Sequence, residues 1–172
     1  MRVINRYSRV IAIVVLLLTI SVSALAGQFK VTRVTDGDTV KVAGNDEKIT
    51  IRLVGIDAPE TSKKKNEPGQ PFSRKSTKYL ASLVLNKSVE VKSYGTDRYG
   101  RTLGVVFVSG KNVNLEMVKA GLAEVYRGKP ADGLDPEPYW SAEAEAKKAG
   151  IGMWSLGDKY ISPKEWRRIH RK

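Results

Sequence analysis

The chain has 172 residues, with 30 Lys and Arg against 18 Asp and Glu, one His and no Cys, giving a formal net charge of +12. That length encloses one sizeable core, and 41% hydrophobic residues exclude a disordered chain. Without thiols there is no disulfide framework, zinc knuckle or thiol nucleophile, and the lone His170 sits in a basic C-terminal stretch, so catalysis must draw on carboxylates, Arg, Lys, Tyr or an oxygen-bound metal.

Arg2, Arg6 and Arg9 precede an apolar run from Val10 to Leu18 and small residues ending in Ala24-Leu25-Ala26. This is the layout of a secretory signal cleaved after Ala26, so residues 1–26 are read as a leader and the protein as secreted or periplasmic. If retained, the segment would be a membrane anchor, although Val10 to Ala26 falls short of the ~20 residues a spanning helix needs. Removing the leader leaves 27 basic against 18 acidic side chains, an excess of nine that suggests a polyanion partner, most simply nucleic acid.

Gln28 to Thr35, Thr39 to Ala43 and Lys48 to Ile56 read as three strands in a meander, the first two joined at Asp36-Gly37. Ser62 to Gln70, with Lys63, Lys64 and Lys65, reads as an exposed loop, and Pro71 suits the first position of a following helix. Ser88 to Tyr94 and Thr102 to Val108 are two more strands. Asn114 is a suitable N-cap for a short helix ended by Gly121, with Val113 and Val118 as a hydrophobic staple. A Pro- and Gly-rich loop from Arg127 to Pro138 leads into a helix over Tyr139 to Ala149. Five short strands with a helix after the third predict a mainly β chain with helices, an α+β class: a five-stranded OB-fold β-barrel carrying about three α-helices. The domain is placed at 27–157 and a basic tail at 158–172, with disorder as the expected state of its last part, Arg167 to Lys172. Trp140, Trp154 and Trp166 are expected to pack rather than to stack on bases.

Three stretches hold candidate chemistry. Asp36-Gly37-Asp38-Thr39 places two carboxylates beside a glycine, a pattern that also suits a plain hairpin turn. In Arg52-Leu53-Val54-Gly55-Ile56-Asp57-Ala58-Pro59-Glu60, period-two alternation puts Ile49, Ile51 and Leu53 on one face and Arg52 on the other, with Asp57 and Glu60 around a proline turn. Thr96-Asp97-Arg98-Tyr99-Gly100-Arg101 is a basic, aromatic hairpin connection. Asp38, Asp57 and Glu60 offer hard oxygens and no soft ligand, which favours calcium or magnesium. Arg52 and Arg101 could supply two planar forks to a phosphate. Carboxylates, arginines and an oxygen-bound metal are together what a phosphodiesterase needs.

Asp36-Gly37-Asp38-Thr39-Val40, Arg52-Leu53, Asp57-Ala58-Pro59-Glu60 and Arg98-Tyr99-Gly100-Arg101-Thr102-Leu103-Gly104, in this order, closely resemble the staphylococcal (micrococcal) nuclease or thermonuclease family. The resemblance spans nearly all of the chain after the leader. It implies a Ca²⁺-dependent endonuclease acting on DNA and RNA, cleaving the 5′ P–O bond and leaving 3′-phosphate ends. It further implies Asp38, Asp57 and the main-chain carbonyl of Ala58 as calcium ligands, Arg52 and Arg101 as the phosphate-binding pair, and Glu60 as the carboxylate that activates or orients water. Arg98, Tyr99 and Tyr126 correspond to substrate-contacting positions. The resemblance departs at Val125-Tyr126-Arg127-Gly128, where the family prototype has two tyrosines spaced by one residue. A monomer without an obligate protein partner is expected. The competing readings are a nuclease-like barrel that only binds nucleic acid and a membrane-tethered basic adhesion protein.

Overall fold

The computed structural model describes residues 28–44, 47–62, 64 and 66–170. The leader, Lys63 and Lys65 lie outside the described residues.

The strands are β1 (Gln28–Asp36), β2 (Thr39–Gly44), β3 (Glu47–Leu53), β4 (Ile56–Asp57), β5 (Ser88–Thr96), β6 (Thr102–Val108), β7 (Lys111–Asn112) and β8 (Glu124–Val125). The main sheet runs β3-β2-β1-β5-β6-β7, and a parallel pairing of β3 with β6, Ile51 against Thr102 through Leu53 against Gly104, closes its five long strands into a barrel. This is the expected OB-fold, with β7 as an additional edge strand and β4 with β8 as a separate antiparallel pair. The alternation read in β3 holds: Ile51 and Leu53 are wholly buried, and Arg52 is turned from the core. On β2, Val40 opposite Ile51 and Val42 opposite Ile49 are also fully buried.

Among the described residues, four α-helices accompany the barrel: α1 (Ser73–Val84), α2 (Val113–Lys119), α3 (Glu137–Lys148) and α4 (Pro163–Ile169), with a 3₁₀ segment at Gly152–Lys159. Five helical segments thus replace the expected three or so. α1 packs Ser73, Ser76, Leu80 and Val84 inward at helical spacing, and full burial of Leu80 or Val84 contributes about 2 kcal/mol each. It starts two residues later than Pro71 suggests because Phe72 takes a left-handed conformation, φ 70°, that turns the chain into the helix.

The extra helical segments lie at the C-terminal end of the chain. Ser162 caps α4 by accepting from the Glu165 N–H at 3.1 Å, and Pro163 follows in the first turn. Of the stretch expected to be disordered, Arg167 to Ile169 form the last turn of this helix. No helix among the described residues is long and apolar enough to cross a membrane.

Asn114 is not the cap of α2. That role falls to Asn112, whose Oδ1 accepts from Leu115 N–H at 3.0 Å, so the Val113–Val118 staple does not form around a cap, although both valines are buried. Asn114 is instead a fully buried cross-link. Its Oδ1 accepts from Val106 N–H at 3.1 Å, and its Nδ2 donates to Val54 O at 2.9 Å and Gly104 O at 3.0 Å.

Candidate active site

The β1–β2 turn is held tightly against the rest of the molecule. A Cβ on Gly37 would lie 2.0 Å from Ser76 Oγ and 2.7 Å from Ala58 Cβ, so only glycine lets the turn approach α1 and the end of β4 this closely. Asp36 Oδ1 accepts from the Asp38 N–H at 3.1 Å. Burial pushes the Asp36 carboxyl above its ordinary range, against the opposing pull of Thr39, Arg52 and Arg101. Asp38, itself buried, accepts from Thr39 Oγ1 at 3.1 Å and from the Ala58 N–H at 2.9 Å. Its carboxylate is thereby aimed and tied to the Asp57-Ala58 backbone.

One guanidinium joins the two loops. Arg52 pairs with Asp38 Oδ1 and, through its other terminal nitrogen, with Asp57 Oδ1 at 2.9 Å. Asp38 and Asp57 therefore converge on the same cationic group. Arg167, from α4, approaches from the opposite end of the chain. It donates to both oxygens of Asp57, at 3.0 and 2.7 Å, and to Glu60 Oε1 at 2.5 Å. Its hydrogen bonds to Asp57, and then to Glu60, hold it firmly protonated, well above the ordinary arginine range.

Glu60 is positioned through its backbone. Its N–H donates to Gln70 Oε1 at 3.0 Å and its carbonyl accepts from the Gln70 N–H at 2.8 Å. Gln70 is buried and donates with its remaining side-chain nitrogen to Ile161 O at 2.7 Å, so one residue docks the segment leading to α4 beside the Glu60 loop.

Arg101 is turned onto a different acid. Its Nε donates to Asp97 Oδ2 at 2.7 Å, while Asp97 Oδ1 accepts from the N–H groups of Tyr99 and Arg101 at 2.8 and 3.0 Å. Burial acts to raise the Asp97 carboxyl, but these hydrogen bonds outweigh it and hold it below the usual range. Tyr99 is 68% exposed, receives a 2.7 Å hydrogen bond from Arg98, and has the Arg98 and Arg101 guanidinia 4.8 and 5.6 Å from its ring centre.

These groups share an open cleft of about 1350 Å³. Asp38, Arg52, Ala58, Glu60, Arg98, Tyr99, Arg101 and Tyr126 line it, and Asp57 is reached through the two arginines that grip it. Of the nine residues expected at the site, all thus meet at one place. The far wall carries Tyr126 and Trp140, 47% and 44% exposed. Trp140 is therefore not the packing residue expected of it. Trp154 does pack, its ring centre 4.6 Å from that of Tyr160. Gly128 permits the Tyr126 ring to fold across the backbone, since a Cβ there would lie 2.4 to 2.5 Å from ring atoms.

Among the described residues no three acidic or histidine side chains form a ready-made metal cluster. Arg52 and Arg167 occupy the space between the acids. The donor set nonetheless fits a hard cation: two buried carboxylates converge on one positive centre, and both ligand types are oxygen.

A family model described as staphylococcal nuclease homologue matches residues 50–156. A protein of Shigella flexneri called micrococcal nuclease is 38% identical over 95% of this chain and 93% of its own length. Proteins called uncharacterized endonuclease are 40% identical in Haemophilus influenzae, over 81% of this chain and 72% of theirs, and 42% identical in Escherichia coli O157:H7, over 83% and 85%. The chain belongs to the staphylococcal nuclease family.

For a member of the staphylococcal nuclease family, the most informative residues are those that motif reading passed over. Asp97 lies inside a quoted stretch, and an acid four residues before an arginine on a tight turn is a detectable signal. Gln70 and Arg167 carry no local signal, and Arg167 lies beyond the residues the family model matches. Glu143 on α3 is a further unforeseen support. Its Oε1 accepts from Val125 N–H at 2.8 Å, and its Oε2 binds Arg127 and, at 2.8 Å, Lys147.

Burial works to raise the Glu143 carboxyl, but hydrogen bonds from Arg127, Lys147 and Val125 outweigh it and hold it below its usual 4.5. A depressed folded-state pKa means stabilisation that is present above the unfolded value and lost as pH falls through the folded one. Because both cations are partly exposed, the contribution is discounted to about 1–2 kcal/mol. Urea denaturation of Glu143→Gln should show that loss at pH 7, with the gap to wild type closing in acid.

Proposed function

We propose that this protein is a calcium-dependent endonuclease that hydrolyses phosphodiester bonds of DNA and RNA at the 5′ P–O bond, leaving 3′-phosphate ends, and that it is exported with its leader removed after Ala26. The observation carrying this reading is the convergence of Asp38 and Asp57 on one guanidinium, in a cleft that also holds Glu60 and Arg101. The relative named micrococcal nuclease, similar over nearly its whole length, supports it.

Asp38, Asp57 and the Ala58 carbonyl are the groups that would hold the ion, which when bound neutralises phosphate charge and polarises water. The chain's own residues supply the rest. Arg52 and Arg101 each present a planar fork to non-bridging phosphate oxygens, where negative charge grows as water attacks. Glu60, one-third exposed at the cleft, orients that water or takes its proton. Arg98, Tyr99 and Tyr126 all line the same cleft, available to contact the nucleotides that flank the scissile phosphate.

The test is incubation of purified protein with plasmid DNA and with RNA, in calcium or in chelator. Cleavage of both in calcium alone is expected. Asp38→Ala should abolish calcium binding in calorimetry while its circular dichroism stays near wild type. Binding of nucleic acid without cleavage would favour a non-catalytic module.

A further inference from the structure

The site is crossed by a residue that the catalytic scheme does not use. Arg167 spans the two acids on the open side of the cluster, taking both oxygens of the buried Asp57 and one of Glu60. Such charge-assisted, two-pronged contacts are the strong class of hydrogen bond. With the one bond from Arg52, they take three of the roughly four acceptor sites of the Asp57 carboxylate and set a second positive charge against it. A divalent ion on Asp57 and the Arg167 fork therefore compete for the same two oxygens, and like charge repels one from the other. Resting on the nuclease reading, we propose that Arg167 is a tethered cation that a divalent ion must displace, so that the C-terminal helix sets the ion affinity of the site.

The way α4 is held supports a displaceable contact. The helix has seven residues, too few to be stable in isolation. Pro163 is its one buried residue, and the segment ahead of it is docked by Gln70 at Ile161. The partners of Arg167 are thus a principal anchor at the helix's C-terminal half, while its neighbour Arg168 pairs with Glu165 on the same helix. Gln70 also grips the Glu60 backbone, so docking the helix and placing Glu60 depend on one buried side chain. Arg52 differs in kind: it issues from the barrel wall and remains beside the cleft wherever α4 goes.

The consequence for affinity follows from populations. If the ion binds only when Arg167 is withdrawn, the apparent Kd equals the intrinsic Kd divided by the withdrawn fraction. A fraction near one-tenth weakens binding about tenfold, and removing the side chain restores the intrinsic value.

The experiment is calcium titration by calorimetry of the wild-type chain, Arg167→Ala and Arg168→Ala, with cleavage of plasmid DNA measured alongside. Arg167→Ala should bind calcium about tenfold more tightly, with Arg168→Ala unchanged. Arg167→Gln provides the same reading should the alanine variant fail to fold. In the wild type, calcium should also speed amide exchange across Lys164 to Ile169. Equal or weaker calcium affinity in Arg167→Ala overturns the proposal. If that variant still cleaves DNA, the nuclease reading stands without it; a lowered kcat at unchanged calcium affinity would place Arg167 on the phosphate instead. Absence of both calcium binding and cleavage from every variant overturns the two readings together.

Discussion

Arg52→Lys and Arg101→Lys should each lower kcat on DNA by about 10²- to 10³-fold, roughly 3–4 kcal/mol of transition-state stabilisation, with a smaller change in KM. Lysine keeps the charge and loses the planar fork, so a large effect isolates geometry from charge. The two variants should differ in calcium affinity. Arg52 lies directly on Asp38 and Asp57, so shortening it changes the surroundings of the ion, whereas Arg101 is held by Asp97 and should leave calcium binding as it was. Glu60→Gln separates two roles. A general base replaced by an amide loses the carboxylate-dependent limb of the pH–rate profile, whereas a group that only orients water leaves partial activity. Near-wild-type kcat in all three variants would reject these site assignments.

Asn114→Ala should be the most destabilising single substitution of a polar residue, by about 3 kcal/mol in urea denaturation. The mutation leaves Val106 N–H, Val54 O and Gly104 O without their side-chain partner. Gly104 O keeps one partner at the closure, because Val54 N–H donates to it at 3.0 Å beside the β3–β6 pairing. An orphaned buried polar group costs about 1–3 kcal/mol, and water entering the small space left behind would recover part of it. Asn114→Asp tests the cause. It retains an acceptor for Val106 N–H but sets a carboxylate against two carbonyls, and should be at least as damaging. A loss below about 1 kcal/mol in Asn114→Ala would show that the barrel closure does not depend on this cross-link. The contrast with Asn112 is instructive: as a half-exposed helix cap, its replacement by alanine should cost only about 1 kcal/mol.

The long barrel strands and their inward faces were legible in the residue pattern, because a strand's side chains alternate at a period of two and the buried set must be apolar. Ile51 and Leu53 point inward and Arg52 outward for that reason alone. The short stretches that hold the candidate chemistry were legible as well: eight of the nine named residues line one cleft, and the ninth, the buried Asp57, pairs with two of the cleft's arginines, Arg52 and Arg167. Local patterns could not choose between Asn112 and Asn114 as a cap, since two asparagines spaced by two residues differ only in what each finally touches. They could not place Trp140 at the cleft, because a tryptophan on an alanine-rich helix reads the same facing a core or a groove. Least visible was Arg167. It meets Asp57 across 110 residues of chain, in a stretch whose basic composition resembles an unstructured tail, and neither periodicity nor motif spacing carries information over that separation. The contact arises from the fold, which brings α4 back along the Glu60 loop, where two clustered carboxylates give the permanent charge of Arg167 its partners.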